Sequence, residues 1–136
     1  MTTPRRASRG GARAASPPIL PGTEPLFAAL EEAACELRGA PAILLGGLAM
    51  QRYGSTRLTQ DIDLAVAAVP QGVVGTALTF GGVTRPLPRC GIGCDYIVRA
   101  DDYASLYEEA LGAGISDVRL PRGIRLTRRE HLAAMK

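Results

Sequence analysis

A chain of 136 residues is long enough for one domain with a modest core and too short for two. Its net charge of +3 comes from the start of the chain, because residues 1–23 hold four arginines and no acid. The rest of the chain has a net charge of −1, which argues against a basic nucleic-acid-binding surface in the domain itself. The three cysteines include no Cys-x-x-Cys pair, which predicts a cytoplasmic protein. The sequence has no apolar run of membrane-spanning length, so we expect no membrane partner.

The first stretch, residues 1–22, is rich in arginine, glycine and proline and has few large apolar side chains. Such a stretch cannot bury enough apolar surface to offset the entropy lost on ordering, so we expect a disordered arm. The arm is interpreted either as a solvated tail or as a basic segment that contacts nucleic-acid phosphates. We expect any nucleic-acid contact to be made through this arm alone.

The first predicted helix follows Thr23, which is expected to cap it. Apolar residues recur at helical spacing as far as Leu37, and Gly39 and Pro41 then end the pattern. Residues 42–45 are a short apolar run that predicts a buried strand.

A glycine pair, Gly46 and Gly47, follows the strand and leads into a short helix that is expected to end near Tyr53. Backbone N–H groups at a helix start are unpaired and lie at the positive end of the helix dipole, an arrangement that favours phosphate. The alternative is an ordinary tight junction between strand and helix. In the polar connection that comes next, Arg57 either reaches a phosphate or is solvated, and Thr59 can fix the local backbone.

Residues 60–67 predict a second strand, in which Asp61 and Asp63 point to the same face. Two neighbouring carboxylates repel each other, and bound Mg²⁺ or Mn²⁺ would relieve that repulsion. The alternative is a pair of surface acids on a half-exposed strand. Residues 92–98 predict a later strand that carries Asp95, which is either a third site carboxylate or a lone strand acid.

The clearest helix is predicted to open at Asp101 and Asp102 and to close at Gly112. Tyr103 and Tyr107 fall on its apolar stripe and are expected to face the core, although one of them could stack on a nucleobase. Residues 73–80 have mixed periodicity and predict either a strand or a broken helix, and Gly81 and Gly82 predict a turn after them.

The end of the chain adds two more elements. Residues 118–126 predict a small hairpin or an edge strand, and the spacing of Thr127 and Glu130 matches a capping box that starts a last helix. Lys136 is either a phosphate contact or a solvated lysine. The whole pattern predicts an α/β (α+β) domain over residues 23–136, with a small mixed β-sheet and helices mainly on one face.

The order of these motifs resembles the signature of the nucleotidyltransferase superfamily, which has the polymerase-beta-like fold. The signature consists of Gly46-Gly47, a spacer, and Asp61-x-Asp63. The closer similarity is to small bacterial nucleotidyltransferases that include the AbiEii-type toxins, in which the loop often reads Thr-x-Asp-x-Asp, as residues 59–63 do here.

The resemblance covers roughly residues 40–136 and implies a minimal nucleotidyltransferase that uses Mg²⁺ or Mn²⁺. It would move a nucleoside monophosphate from ATP or another NTP to a hydroxyl on an unknown acceptor (protein, RNA or small molecule) and would belong to a toxin–antitoxin system. The resemblance implies Asp61, Asp63 and Asp95 as catalytic and metal-binding residues, and Gly46, Gly47, Arg57 and Thr59 as nucleotide-binding residues.

Two further expectations concern partners. Larger relatives use a second helical domain for the acceptor, and this chain ends before one could form. The acceptor site is therefore expected from a homodimer or a cognate protein partner, unless the coding sequence is cut short. The competing interpretation is a catalytically degenerate binding module that keeps the nucleotidyltransferase fold and acts through a protein partner.

Overall fold

The computed structural model describes residues 17–136, and residues 1–16 of the predicted arm lie outside the described part. Within residues 17–136 the chain forms four helices: α1 (Glu24–Leu37), α2 (Gly46–Arg52), α3 (Ala104–Gly112) and α4 (Arg129–Ala134). The same part of the chain forms six strands: β1 (Ala42–Leu45), β2 (Ile62–Val66), β3 (Thr76–Ala77), β4 (Gly82–Pro86), β5 (Gly93–Ile97) and β6 (Ile124–Leu126).

The six strands described form one mixed sheet in the order β3-β4-β5-β2-β1-β6. Near its centre, β2 runs antiparallel to β1 and parallel to β5, and β6 runs parallel to β1 at one edge. β3 and β4 extend the other edge through antiparallel pairing. The predicted α/β (α+β) fold with a small mixed sheet is confirmed.

The helices cover the two faces of this sheet unequally. Side chains alternate along a strand, so Tyr96 of β5 lies on the face opposite to Asp95. α1 covers the Tyr96 face, where the Tyr96 hydroxyl donates a hydrogen bond to Glu36 at 2.6 Å. The other three helices each contribute a residue to a cavity on the Asp95 face: Met50, Tyr107 and Leu132. Within residues 17–136, none of the helices combines the length and the apolar character that a membrane crossing requires.

Helix α1 follows from apolar side chains at helical spacing. Leu26, Leu30 and Leu37 lie along its buried stripe, each with at most 5% of its surface exposed. Thr23 precedes the helix as predicted, but its hydroxyl donates to the carbonyl of Leu20 at 2.6 Å instead of capping the first turn. The hydroxyl therefore orders the chain before the helix.

The three strands predicted around the site are present. Both faces of β1 are covered, and all four of its residues are buried, which explains why its sequence is a continuous apolar run. β2 and β5 occupy the inner parts of the stretches predicted as the second and third strands. Their buried residues alternate with half-buried acids, Asp63 in β2 and Asp95 in β5.

The start of α3 differs from the prediction. The helix begins at Ala104, and Asp101 accepts hydrogen bonds from the N–H of Tyr103 at 3.1 Å and from Nε of Arg99 at 2.9 Å. Asp101 therefore orders the turn before the helix. Tyr103 is 48% exposed, so its predicted core-facing orientation is wrong, whereas Tyr107 one turn later is half-buried.

The predicted capping box at the start of α4 is also wrong. The helix begins at Arg129, and the buried Thr127 hydroxyl donates to the carbonyl of Leu44 in β1 at 2.8 Å. The partner lies on a strand that is distant in sequence, so local spacing gives no indication of it. Just before Thr127, β6 is an edge strand, one of the two structures predicted for that stretch.

A buried ion pair ties α2 to two other parts of the chain. Arg52 is only 3% exposed, and its Nε donates to Oδ2 of Asp117 at 3.0 Å. Its Nη1 donates to the carbonyl of Pro17 at 2.6 Å. The guanidinium therefore links α2, the loop before β6 and the first described residue.

Candidate functional site

A cavity of about 510 Å³ opens on the Asp95 face of the sheet, a volume within the usual range of small-molecule sites. Half of the lining residues have polar side chains or are glycines that expose their backbone: Gly46, Gly47, Ser55, Arg57, Thr59, Asp63 and Lys136. The other half is apolar or aromatic: Leu45, Met50, Leu58, Ile97, Tyr107, Leu132 and Met135. The cavity therefore suits a ligand that has both a charged part and a flat or apolar part.

The parallel pairing of β2 with β5 brings two carboxylates together. Asp63 and Asp95 are direct partners in the strand register, so their side chains leave the same face of the sheet. The two carboxyl groups share a side-chain hydrogen bond. Asp63 also lines the cavity, so the pair meets the cavity through Asp63.

Burial is the main reason why the pKa of Asp63 rises to about 7. The negative charge of Asp95, the hydrogen bond between the two groups and the charge of Asp61 raise it further. Two carboxylates this close cannot both ionise without cost, so the pair retains one proton up to neutral pH.

Asp61 lies near the pair but is not part of its contact. Its side chain is exposed, and its carboxylate lies against Gly93, where an added Cβ would come within 2.6 Å of Oδ1. It acts on Asp63 through its charge. In the described part of the chain, neither Asp61 nor Asp95 belongs to the lining of this cavity.

The glycine pair is needed because side chains approach it closely. Gly46 has a φ of +69°, and a Cβ there would lie 2.0 Å from Oδ2 of Asp63. A Cβ on Gly47 would lie 2.8 Å from Cβ of Thr59. The two glycines therefore admit the side chains of Asp63 and Thr59, and both still line the cavity.

The two other residues expected to bind nucleotide also lie at the cavity. Arg57 and Thr59 line it from the loop between α2 and β2. The backbone N–H of Arg57 donates to Oγ of Ser55 at 3.2 Å, and its side chain is exposed. Among residues 17–136, the Arg57 guanidinium has no acidic partner, so its charge is available to a ligand.

Sequence reasoning missed the residue that holds this loop. Gln51 is buried in α2, and its Nε2 donates to the carbonyl of Arg57 at 2.9 Å. This hydrogen bond fixes the loop that carries Arg57 and Thr59 beside the glycines. A glutamine in a short helix gives no sequence signal for such a role, because its partner is set by the path of the loop.

A divalent cation fits the acid pair by its chemistry. Carboxylate oxygens are the ligands that Mg²⁺ and Mn²⁺ prefer, and a cation would take the place of the proton that Asp63 retains to about pH 7. In residues 17–136, however, no group of three or more His, Cys, Asp or Glu side chains has the arrangement of a metal site. Asp61, Asp63 and Asp95 are thus adjacent but not arranged as three ready ligands.

Comparisons of the chain with protein-family models, with curated proteins and with solved structures give no match. A functional conclusion therefore depends on the cavity and on the acid pair, of which Asp63 lines that cavity.

Proposed function

We propose that this protein is a Mg²⁺-dependent nucleotidyltransferase that moves a nucleoside monophosphate from an NTP to a hydroxyl on an acceptor. The observation that carries the proposal is the acid pair of Asp63 and Asp95, aligned on parallel strands, of which Asp63 lines a cavity of nucleotide size. A partly buried pair of acids in contact costs stability and is typical of a site that binds cations or moves protons.

The transfer itself would be a displacement at the α-phosphorus. The acceptor oxygen forms a bond to this phosphorus, the bond to the bridging oxygen breaks, and pyrophosphate leaves with the electron pair. Asp95 takes the proton of the acceptor hydroxyl. Asp63 and Asp95, with Asp61 beside them, would hold Mg²⁺, which neutralises charge on the triphosphate.

The cavity lining supports the binding part of this proposal. Arg57 and Lys136 offer positive charge to phosphate oxygens, and Gly46 and Gly47 present backbone close to the acid pair. Most of the rate would come from positioning and charge neutralisation, because phosphoryl transfer needs little covalent chemistry from the protein.

We further propose that the protein acts in the cytoplasm, with a protein, an RNA or a small molecule as acceptor and a second copy or a cognate protein as partner in a toxin–antitoxin system. The support for the compartment is that all three cysteines lie in the described part of the chain and are free thiols.

A specific observation favours a second candidate function. The acids of residues 17–136 do not form a ready three-ligand group, and the pKa of Asp63 is raised to about 7. A degenerate nucleotidyltransferase that only binds nucleotide and acts through a protein partner would have such a site.

The test uses the full chain with α-labelled NTPs, Mg²⁺ and cell extract. Label should pass to an acceptor with the unaltered chain, and Asp63→Asn or Asp95→Asn should lower transfer by about 100-fold or more. Asp102→Asn is the matched control, because Asp102 is an exposed acid away from the cavity. Nucleotide binding without transfer would favour the binding module, and a chain that does neither would refute both candidates.

A further inference from the structure

Tyr107 stands apart from the other residues of the cavity lining, because a second group of side chains holds its ring. Tyr107 lines the cavity from α3, and its hydroxyl accepts a hydrogen bond from Nη1 of Arg99 at 3.3 Å. The Arg99 guanidinium also lies over this ring, 5.2 Å from its centroid. A tyrosine held at its ring and at its hydroxyl has little rotamer freedom left.

Arg99 is itself fixed from several sides. Its Nε donates to Oδ1 of Asp101 at 2.9 Å, and its guanidinium lies over the rings of Phe80 at 4.5 Å and Tyr103 at 5.0 Å. These contacts hold Arg99 in one position, where its positive charge interacts with the faces of the three aromatic rings. The arrangement therefore supports one wall of the cavity from behind.

The surroundings of Tyr107 within the cavity are apolar. Ile97, Leu132 and Met135 also line the cavity, whereas the glycines, Arg57, Thr59 and Asp63 come from α2, the loop after it and β2, and Lys136 follows α4. A ligand with an anionic end and a flat aromatic end matches this division. Aromatic side chains bind nucleobases by stacking, because every base presents a π-face.

We propose that Tyr107 is the stacking residue for the base of the nucleotide, so that the apolar half of the cavity is a nucleobase site. This inference depends on the proposed function and adds to it the group that receives the base. The ring needs no ordering when the ligand binds, which lowers the entropic cost of association.

The first test compares two anionic ligands, MgATP and Mg-tripolyphosphate, by calorimetric titration of the full chain. Tyr107→Leu should weaken MgATP binding roughly 5- to 100-fold and leave tripolyphosphate binding unchanged, because only ATP has a base to stack. Tyr107→Phe keeps the ring and should keep most of the affinity. Tyr103→Leu measures the indirect effect of loosening Arg99, since Tyr103 contacts Arg99 but, among the described residues, is not part of the cavity lining; it should weaken MgATP binding much less than Tyr107→Leu.

A second measurement does not depend on whether Tyr107→Leu folds. The chain has no tryptophan, so Tyr107→Trp introduces a single indole as a reporter. MgATP should quench its fluorescence by stacking, and Mg-tripolyphosphate should not.

The outcomes separate this inference from the proposed function. Equal loss of both ligands in Tyr107→Leu, equal weakening by Tyr103→Leu, or an indole that MgATP does not quench would overturn the stacking role while nucleotide binding stands. An unaltered chain that binds neither ligand would overturn the nucleotide-binding function and the stacking role together.

Discussion

Asp63 keeps its proton to about pH 7 because its carboxyl group is buried and faces Asp95 on the neighbouring strand. The strand register enforces this contact, and the missing Cβ of Gly46 makes room for the Asp63 carboxylate. The contact between Asp63 and Asp95 thus lowers the stability of the protein at neutral pH when no cation is bound. Such a cost is expected where the site gains from a bound cation.

The first prediction concerns the pH dependence of stability. An unfolded aspartate loses its proton near pH 4, whereas folded Asp63 keeps it to about pH 7. The contribution of Asp63 to the free energy of unfolding should therefore fall as pH rises from about 4 to about 7 and then level off. Asp63→Asn removes this effect, so it should stabilise the protein at pH 8 by a free energy on the order of a few kcal/mol and by little at pH 4.5.

Denaturant titrations at the two pH values measure this difference. Asp102→Asn serves as the control, because Asp102 is exposed and is not among the groups that raise the pKa of Asp63, so it should give a much smaller pH-dependent change. A stability difference between Asp63→Asn and the unaltered chain that is the same at both pH values would refute the buried-pair interpretation.

The second prediction concerns Gly46. Alanine at this position would meet Asp63 at 2.0 Å and would also have to adopt a left-handed φ. Gly54→Ala is a matched control, since Gly54 has a φ of +103° but nothing within 4 Å of an added Cβ. Gly54→Ala should cost about 1–2 kcal/mol, and Gly46→Ala should cost clearly more in thermal or denaturant unfolding. Equal costs would mean that the contact with Asp63 is unimportant.

At the scale of elements, the pairing of β2 with β5 carries the site, and a polar network supports β5 from the other face of the sheet. The buried Tyr96 hydroxyl donates to Glu36 of α1, and Glu36 also forms an ion pair with Arg85 of β4. These bonds join α1 to two neighbouring strands directly behind Asp95. The network therefore helps to hold the strand that carries one of the two acids.

The third prediction tests this support. Tyr96→Phe removes the donor to Glu36 and leaves a partly buried carboxylate with one partner fewer, so it should lower the free energy of unfolding by about 1–3 kcal/mol. Tyr103→Phe should change it by less than about 0.5 kcal/mol, because Tyr103 is largely exposed. Chemical denaturation of the two variants distinguishes these values, and similar small effects would contradict the role given to Tyr96.

The elements that sequence predicts well are those with local patterns. Helix α1 has apolar residues at helical spacing, and β1 is a short apolar run between a proline and two glycines. The errors occur where a side chain forms a hydrogen bond with a residue that is distant in sequence instead of with its neighbours. Thr127 matches a helix cap by spacing, yet its hydroxyl is bonded to Leu44 across the sheet.

The site shows the same limit. Sequence alternation predicts which way Asp63 and Asp95 point along their own strands, but it cannot predict that the two strands pair in parallel with these residues side by side. It also cannot predict that Gln51 holds the carbonyl of Arg57, because this depends on the path of a loop. The positions of the glycines could be predicted, and the side chains that approach them could not.

At the scale of the whole molecule, the described residues form one core that α1, the sheet and the remaining helices enclose. Cys94 lies within it on the Tyr96 face, and burial raises the pKa of its thiol to about 12. Cys35 and Cys90 are exposed. The reactivity of Cys35 and Cys90 therefore reflects the surface of the protein, and that of Cys94 reflects its core.

The fourth prediction follows from this difference. A thiol reagent at pH 8 should label two cysteines per folded chain quickly, because a buried thiol of high pKa supplies almost no thiolate. The third should react only at the rate of unfolding or after denaturant is added. Cys94→Ala should give two labels with and without denaturant, and rapid labelling of three thiols in the native chain would contradict the core described here.

The measurement that bears most directly on the central claim is the melting midpoint at pH 8 with and without MgATP. A ligand that binds only the folded state must raise the midpoint, and we expect a rise of several degrees for the unaltered chain and for Asp102→Asn at saturating MgATP. Asp63→Asn and Asp95→Asn should melt at the same temperature with and without MgATP. If neither MgATP nor any other NTP with Mg²⁺ shifts the midpoint of the unaltered chain, the acid pair is not a nucleotide and metal site.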